Sequence, residues 1–275
     1  MSGRPPITAF SRLAHRSDGT MRADRNVPEE VPVAFSFAGT THAVMMASPA
    51  DLDDFALGFA LTEGIIGAPG EIERMAIEDL GAGIDIQMWL HDAANTRFEA
   101  RRRRLAGPVG CGLCGIESIE EAMRAVPSVA GSRLALTHGD IAEALRQLAR
   151  RQPFHAETGA VHAAGFFTLG GGLLLAREDV GRHNALDKLA GALSKAGIAG
   201  DTGVVAVTSR LSVEMVQKTA AIGAPAILAV SAPTALAIRT AEAAGMTLVA
   251  LVRGEEFDVF THPERLGKPE KKFVA

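Results

Sequence analysis

The chain has 275 residues, of which 47% are apolar and 22% charged, and its formal net charge is −4. This composition excludes a disordered or fibrous protein, and the length is enough for one large domain or two modest ones. The acidic balance, the absence of Tyr and the single Trp argue against nucleic-acid binding through bulk charge or aromatic stacking.

The N-terminal region and two uncharged stretches bear on localisation. Residues 1–27 contain five arginines and few apolar residues, which predicts a disordered tail, and no apolar signal core is present. The uncharged stretches 158–176 and 219–238 are interrupted by glycine or proline, so neither predicts a membrane span. We therefore expect a cytoplasmic protein that binds no membrane.

Residues 28–125 predict a small α+β domain. Two apolar runs around Gly39 predict a hairpin, and Ser48 is predicted to cap a helix that has Pro49 in its first turn. Alternation over Ile84–Leu90 predicts a half-buried strand. A charged joint over 97–104 then leads to a glycine-rich segment with two cysteines and a short helix at 116–125.

Residues 126–275 predict an α/β domain. An amphipathic helix is expected at 140–152, capped by Asp140. Apolar strands are then predicted at 173–176, 204–208, 226–230 and 247–252. Helices are predicted between these strands, at 185–196, 212–222 and 233–244. This alternation is typical of parallel strands covered by helices on both faces.

The two cysteines of the chain, Cys111 and Cys114, are three positions apart in a loop rich in glycine. A structural zinc site would need two histidines at short spacing, and the chain has no such pair, so we expect no structural zinc. A zinc deaminase would need His-x-Glu, but the nearest match, His162-Ala-Ala164, lacks the glutamate that transfers the proton. Deaminase activity is therefore excluded.

Two redox functions remain open for Cys111 and Cys114. In a dithiol oxidoreductase one thiolate attacks and the other resolves, and the spacing permits this. In a persulfide carrier an exposed thiolate takes sulfur from a donor and passes it to an acceptor. Flexible glycines, nearby arginines and a helix starting near Ile116 would all favour such a thiolate. The spacing does not separate the two functions.

Polar residues follow several predicted strands, where open parallel sheets bind their ligands. Ser209 and Arg210 follow one strand, Ser231 follows the next, and Arg253 ends the last. With two helix N-termini these residues predict a phosphate cradle, although each hydroxyl could instead be only a helix cap. Arg182 and His183 stand at a strand-to-helix turn and form a further candidate anion site, or a structural pair.

These segments together resemble the FdhD/NarQ family of formate dehydrogenase accessory proteins. The resemblance covers most of the chain and is most specific in two runs, Cys111-Gly-Leu-Cys-Gly115 and Glu178-Asp-Val-Gly-Arg-His-Asn-Ala-Leu-Asp-Lys188. Further matching runs are Met45–Pro49, Gly58–Ile66, Thr158–His162, Ser209–Met215 and Ser231–Thr234.

The resemblance implies a fold and a function. The fold would be α/β (α+β overall), with a small N-terminal α+β domain before a cytidine-deaminase-like, three-layer α/β/α domain. Cys111 would accept sulfur from a cysteine desulfurase as a persulfide, and Cys114 would be an auxiliary thiol. The acceptor would be the molybdenum bis(guanine dinucleotide) cofactor of formate dehydrogenase, with the chain acting as a homodimeric sulfurtransferase.

The cofactor-binding segment of the family matches Leu251-Val252-Arg253-Gly254-Glu255-Glu256. Two departures stand out. Many members have glycine where this chain has Ser209, and Glu255 and Glu256 would repel a polyanion unless they face solvent. A cofactor-binding chaperone without sulfur transfer is the alternative function, and a dithiol oxidoreductase is the third.

Overall fold

The computed structural model describes residues 3–105 and 126–267. Within these ranges the chain is a mixed α/β protein with a two-stranded ribbon, a four-stranded sheet and a six-stranded sheet. The predicted helix at 116–125, both cysteines and the boundary placed between residues 125 and 126 lie outside or at the limit of the described residues.

The N-terminal residues form an antiparallel ribbon of β1 (Ile7–Arg16) and β2 (Gly19–Pro28), so the prediction of a disordered tail is wrong over most of 1–27. The ribbon is held by its backbone ladder and buries little apolar surface, which explains why hydrophobic patterning did not reveal it. Gly19 begins β2 directly after the turn, and its φ of 137° is a conformation that favours glycine.

The four-stranded sheet has the order β4-β3-β6-β5 and consists of β3 (Val31–Phe37), β4 (Thr40–Ala47), β5 (Ile72–Asp79) and β6 (Ile84–Leu90). Helices α1 (Leu52–Thr62) and α2 (Asp92–Leu105) cover one face of it. Phe35 anchors this core, with its ring centroid 4.0 Å from that of Phe59 and 4.9 Å from that of Phe55. The predicted hairpin at Gly39 and the strand at Ile84–Leu90 are confirmed.

Two predictions in this region are wrong. Asp51, not Ser48, is the N-cap residue of α1, because both the backbone and the hydroxyl of Ser48 are bonded to the C-terminal domain. The charged joint expected at 97–104 is part of α2, whose run of arginines does not interrupt helical backbone.

The six-stranded sheet has the order β12-β11-β10-β9-β7-β8. Its strands are β7 (His162–Thr168), β8 (Gly172–Asp179), β9 (Gly203–Val207), β10 (Ala226–Ala229), β11 (Thr247–Arg253) and β12 (Glu256–Thr261). β9, β10 and β11 are parallel, as predicted. β7 lies antiparallel between β8 and β9, and β12 is antiparallel to β11, so the sheet is mixed, not parallel throughout.

Helices cover both faces of this sheet in three layers. On one face lies α3 (His138–Arg150); on the other lie α5 (Arg182–Lys195), α6 (Val213–Ile222) and α7 (Ala235–Ala244). A short helix, α4 (Pro153–Thr158), precedes β7. Thr137 caps α3, and the predicted cap Asp140 instead completes a capping box from the third helical position.

Candidate functional site

The predicted ligand segments meet at the carboxyl edge of the parallel strands. Leu211, after β9, bridges to Pro233, after β10. The backbone N–H of Leu251 in β11 donates to the carbonyl of Ser231 at 3.4 Å. Leu251 has φ 58°, within an irregular part of the β11–β12 pairing. The strand ends around Arg210, Ser231 and Leu251 are therefore neighbours, as the sequence predicted.

Two cations are displayed at this edge. Arg210 and Arg253 are both exposed, and neither forms an ion pair with any residue that the structure describes. Gly254, Glu255 and Glu256 at the adjacent turn are exposed as well, so two acidic residues lie beside these cations.

Burial limits two of the predicted contacts. The side chain of Ser209 is buried, and its hydroxyl donates to the carbonyl of Arg210 at 3.0 Å, so that hydroxyl is already engaged. Val252 is also buried and belongs to the core beneath α3, because its side chain points away from the edge. At Val252 only the backbone could contact a ligand.

Arg182 and His183 begin α5 at the end of β8, and a buried carboxylate holds their turn. Asp179 accepts hydrogen bonds from the backbone N–H of Gly181 at 2.7 Å and from the side-chain amide of Asn184 at 2.9 Å. Asp179 also pairs with Lys188 at 2.6 Å. The run Glu178–Lys188 therefore encodes a fixed turn that presents Arg182 and His183.

In the candidate anion site, His183 is a neutral hydrogen-bonding group. Its Nε2 lies 3.3 Å from Oγ of Ser212 and 3.7 Å from the carboxylate of Glu214. Burial, reinforced by the adjacent charge of Arg182, lowers the pKa of His183 to about 4. Arg182 carries the positive charge of this pair, and its Nε is buried without a hydrogen-bond partner among the described residues.

His162 is a site residue that sequence reasoning missed. It begins β7 opposite Asp179, at the same edge of the sheet. Burial lowers the pKa of His162, and the charge of Arg182 lowers it further. His162 closes one of the matching runs, but a lone histidine gave no reason to assign it to the site. Glu214, close to His183, was also missed, because its position in the sequence gave no reason to assign it to the site.

A buried charge cluster lies behind the site, between α1 and the helices α5 and α6. Lys218 of α6 donates to the carboxylate of Asp187 at 2.8 Å and to that of Glu63 at 2.6 Å. Thr62 of α1 donates to the same Asp187 at 2.5 Å. Burial alone would lower the pKa of Lys218, but the two carboxylates raise it above its ordinary value, so the amine stays charged. This cluster fixes α1 against the helices that begin at the site.

Neither a metal cluster nor a membrane-spanning helix is found in the parts of the chain that the structure describes. Residues 3–105 and 126–267 contain no group of three or more His, Cys, Asp or Glu side chains able to hold a metal ion. Among the helices of these ranges, none has the length and apolar character needed to cross a bilayer. Cys111 and Cys114 lie outside these ranges.

The fold and the edge site define a mixed α/β protein whose six-stranded sheet, covered by helices on both faces, presents cations at its parallel strand ends. The model of the FdhD/NarQ family matches residues 28–267, and the chain belongs to this family.

Similar proteins are named consistently. The sulfur carrier protein FdhD of Agrobacterium fabrum is 59% identical over 256 residues, covering 93% of this chain and 94% of the relative. That of Brucella abortus is 56% identical over 254 residues, covering 92% and 94%. The crystal structure of a formate dehydrogenase accessory protein from Desulfotalea psychrophila has a TM-score of 0.75 at 27% identity, covering 96% of this chain and 100% of that one.

Proposed function

We propose that this protein is a sulfur carrier that serves formate dehydrogenase. Its membership of the FdhD/NarQ family and its identity of 56–59% to sulfur carrier proteins over nearly their whole length support this function. The observation that carries the proposal is the match between the unpaired cations at the carboxyl edge and an acceptor rich in phosphate.

Cys111 carries the sulfur in this proposal. A cysteine desulfurase transfers a sulfane sulfur to its thiolate and leaves a persulfide. Cys114, three residues on, acts as an auxiliary thiol that resolves or relays it. A thiolate of low pKa suits the task because it is present at neutral pH for capture and is a good leaving group on release.

The molybdenum bis(guanine dinucleotide) cofactor is the acceptor substrate, and it binds at the carboxyl edge. Its phosphates would face Arg210 and Arg253, which have no competing ion pair among the described residues. Arg182 adds a third cation, at the N-terminus of α5. His183 remains neutral beside it and contributes hydrogen bonds without further charge.

In the transfer step, the S–S bond of the persulfide breaks, and its electron pair leaves with the Cys111 sulfur as a thiolate. The outer sulfur bonds to the metal, and two electrons from a reduced molybdenum centre convert it into a sulfido ligand. A reduced acceptor is therefore the form that this step requires.

Intact-protein mass spectrometry after incubation with a cysteine desulfurase and cysteine tests the proposal. Wild type should gain one or more sulfur atoms that dithiothreitol removes, and Cys111→Ala should gain none. Cys114→Ala is the matched control, and it should still be loaded. An unloaded wild type that nevertheless binds the cofactor would contradict sulfur transfer and support a cofactor chaperone. A Cys111–Cys114 disulfide as the working state would support a dithiol oxidoreductase.

A further inference from the structure

The fold does not explain two features of the β1–β2 ribbon, which are its length and its limited attachment to the rest of the protein. Each strand has ten residues, which is long for a ribbon that no third strand joins in the described structure. An isolated two-stranded hairpin is only marginally stable in water. The ribbon also precedes residues 28–267, which the family model matches.

The body of the protein holds the ribbon only at its base. Arg25 donates to the carbonyl of Thr158 at 3.0 Å, and the side chain of Asn26 donates to Glu157 at 3.1 Å. Beyond these contacts, residues 8–24 make no hydrogen bond to a described residue outside the ribbon.

One face of the ribbon is both apolar and cationic. Residues directly opposite each other in an antiparallel pair share a face, and the register pairs Phe10 with Arg25 and Ala14 with Met21. We call this the arginine face, whose large side chains are Phe10, Arg12, Arg16, Met21 and Arg25. No carboxylate belongs to it, because Asp24 pairs with Ser11 on the opposite face and Asp18 lies in the turn.

The apolar side chains of the arginine face are available for contact, whereas Arg25 at the base also donates to the carbonyl of Thr158. Phe10 is 57% exposed and Met21 59% exposed. None of its three arginines forms an ion pair with a described residue, and the Nε of Arg12 is buried without a hydrogen-bond partner there. Arginine, aromatic residues and methionine are the types enriched at protein interfaces. A cationic face without acids complements an acidic protein surface.

The position of the ribbon indicates which protein it meets. Its base rests on α4, and the backbone N–H groups of Phe154 and His155 in α4 donate to the carboxylate of Glu178 at 2.9 and 2.8 Å. Glu178 lies at the end of β8, beside the edge site. A protein docked on the ribbon would therefore stand next to the bound acceptor.

We propose that the arginine face docks an acidic surface of the apo-formate dehydrogenase that receives the sulfurated cofactor. This inference rests on the proposed function. The main rival, a nucleic acid, is disfavoured by the net charge of −4, which would repel a polyanion from the rest of the chain. Docking on the ribbon would keep the receiving enzyme beside the edge site while the cofactor is transferred.

The test uses pairs of variants on the two faces of the full-length ribbon. Phe10→Ser with Met21→Ser removes the apolar part of the arginine face. Leu13→Ser is the control, since Leu13 is 58% exposed but lies on the opposite face. Arg12→Gln and Arg22→Gln form a second pair of equal charge change on opposite faces. Circular dichroism establishes that each variant is folded.

Affinity for purified apo-formate dehydrogenase of the source organism is measured by calorimetry at low and high salt. The Phe10/Met21 variant should bind at least tenfold more weakly, Arg12→Gln several-fold more weakly, and both opposite-face controls within twofold of wild type. Wild-type affinity should fall as salt rises. Equal affinities for all variants would overturn the proposal. Equally strong binding of wild type to a 20-base-pair duplex, lost in the same variants, would overturn it in favour of a nucleic acid.

Persulfide loading by the desulfurase, measured on the same samples, distinguishes a failure of the docking surface from a failure of the proposed function. Normal loading in every variant with unchanged enzyme affinity would contradict the docking surface alone. Absence of loading in wild type would contradict the proposed function itself.

Discussion

Gly58 of α1 and Gly191 of α5 face each other, so that the backbone of each helix lies against the backbone of the other. A Cβ on Gly58 would overlap the backbone carbonyl of Asp187, and one on Gly191 would overlap that of Asp54. This approach brings Thr62 and Glu63 at the end of α1 within hydrogen-bond distance of the buried charges on α5 and α6. Glycine at both positions is therefore a condition for the buried charge cluster.

Alanine at Gly58 should separate the helices and lower the free energy of unfolding by at least about 2 kcal/mol, because the atoms that it meets belong to backbone and cannot move aside. Gly139→Ala in α3 is the control, since the nearest atom to its Cβ lies at 3.6 Å. That change should be neutral or stabilise by up to about 1 kcal/mol. Urea unfolding of both variants measures the two changes in the free energy of unfolding. Equal changes would contradict the close approach of the helices.

The contributions of Lys218 and Asp187 to the free energy of unfolding should depend on each other. Lys218→Met leaves the buried Asp187 carboxylate without its cation and should cost about 3–5 kcal/mol of unfolding free energy. The double variant Lys218→Met/Asp187→Leu removes both charges and should recover part of that loss. Chemical denaturation of the two single variants and the double variant measures the coupling. Strictly additive losses would contradict a paired buried charge.

The sequence predicted most of the fold where burial shapes the residue pattern. Apolar strands with helices between them read correctly because β9, β10 and β11 are covered on both faces. The β1–β2 ribbon was missed because a ladder of backbone hydrogen bonds requires no apolar alternation. Ser48 was wrongly predicted to be a helix cap. Its hydroxyl accepts a hydrogen bond from Val180, 132 positions away, and local sequence patterns cannot predict such a long-range contact.

The site was predicted in position but not in charge state. The motif runs placed Arg182, Arg210 and Arg253 at strand ends, and topology brings those ends to one edge. Burial, however, is a property of the assembled fold. The neutral state of His183 and the engaged hydroxyl of Ser209 could therefore not be inferred from residue type.

His183 should make the protein less stable as pH falls from neutrality. Its pKa is about 4 in the folded protein against an ordinary 6.5, so the unfolded chain binds more protons between these values. Unfolding free energy should decrease from about pH 6.5 down to about pH 4, by roughly 2–3 kcal/mol for this group. His183→Gln should have a flatter profile over that window, measured by urea unfolding at successive pH values.

His262 provides a control of opposite sign. A hydrogen bond to the carbonyl of Glu242, together with the Glu264 carboxylate, raises the pKa of His262. Its stabilisation should be complete below about pH 6.5 and lost as pH rises through the folded pKa. His262→Gln should therefore flatten the profile above about pH 6.5 and not below it. A parallel response of both variants would contradict the two environments.

Arg253 should contribute to nucleotide binding without affecting sulfur loading. Arg253 is exposed at the edge and has no ion pair among the described residues, so its charge is available to a phosphate. Arg253→Ala should weaken binding of guanosine diphosphate about tenfold, since a charge-assisted hydrogen bond is worth about 1.5–3 kcal/mol. Arg239→Ala is the control, because Arg239 is exposed on α7 and does not lie at a strand end.

Calorimetry measures the nucleotide affinities, and mass spectrometry measures the persulfide on Cys111. Unchanged nucleotide affinity would remove Arg253 from the site and leave Arg210 and Arg182 to hold the phosphates, whereas a loss of loading would show that the edge and the cysteine loop act as one unit.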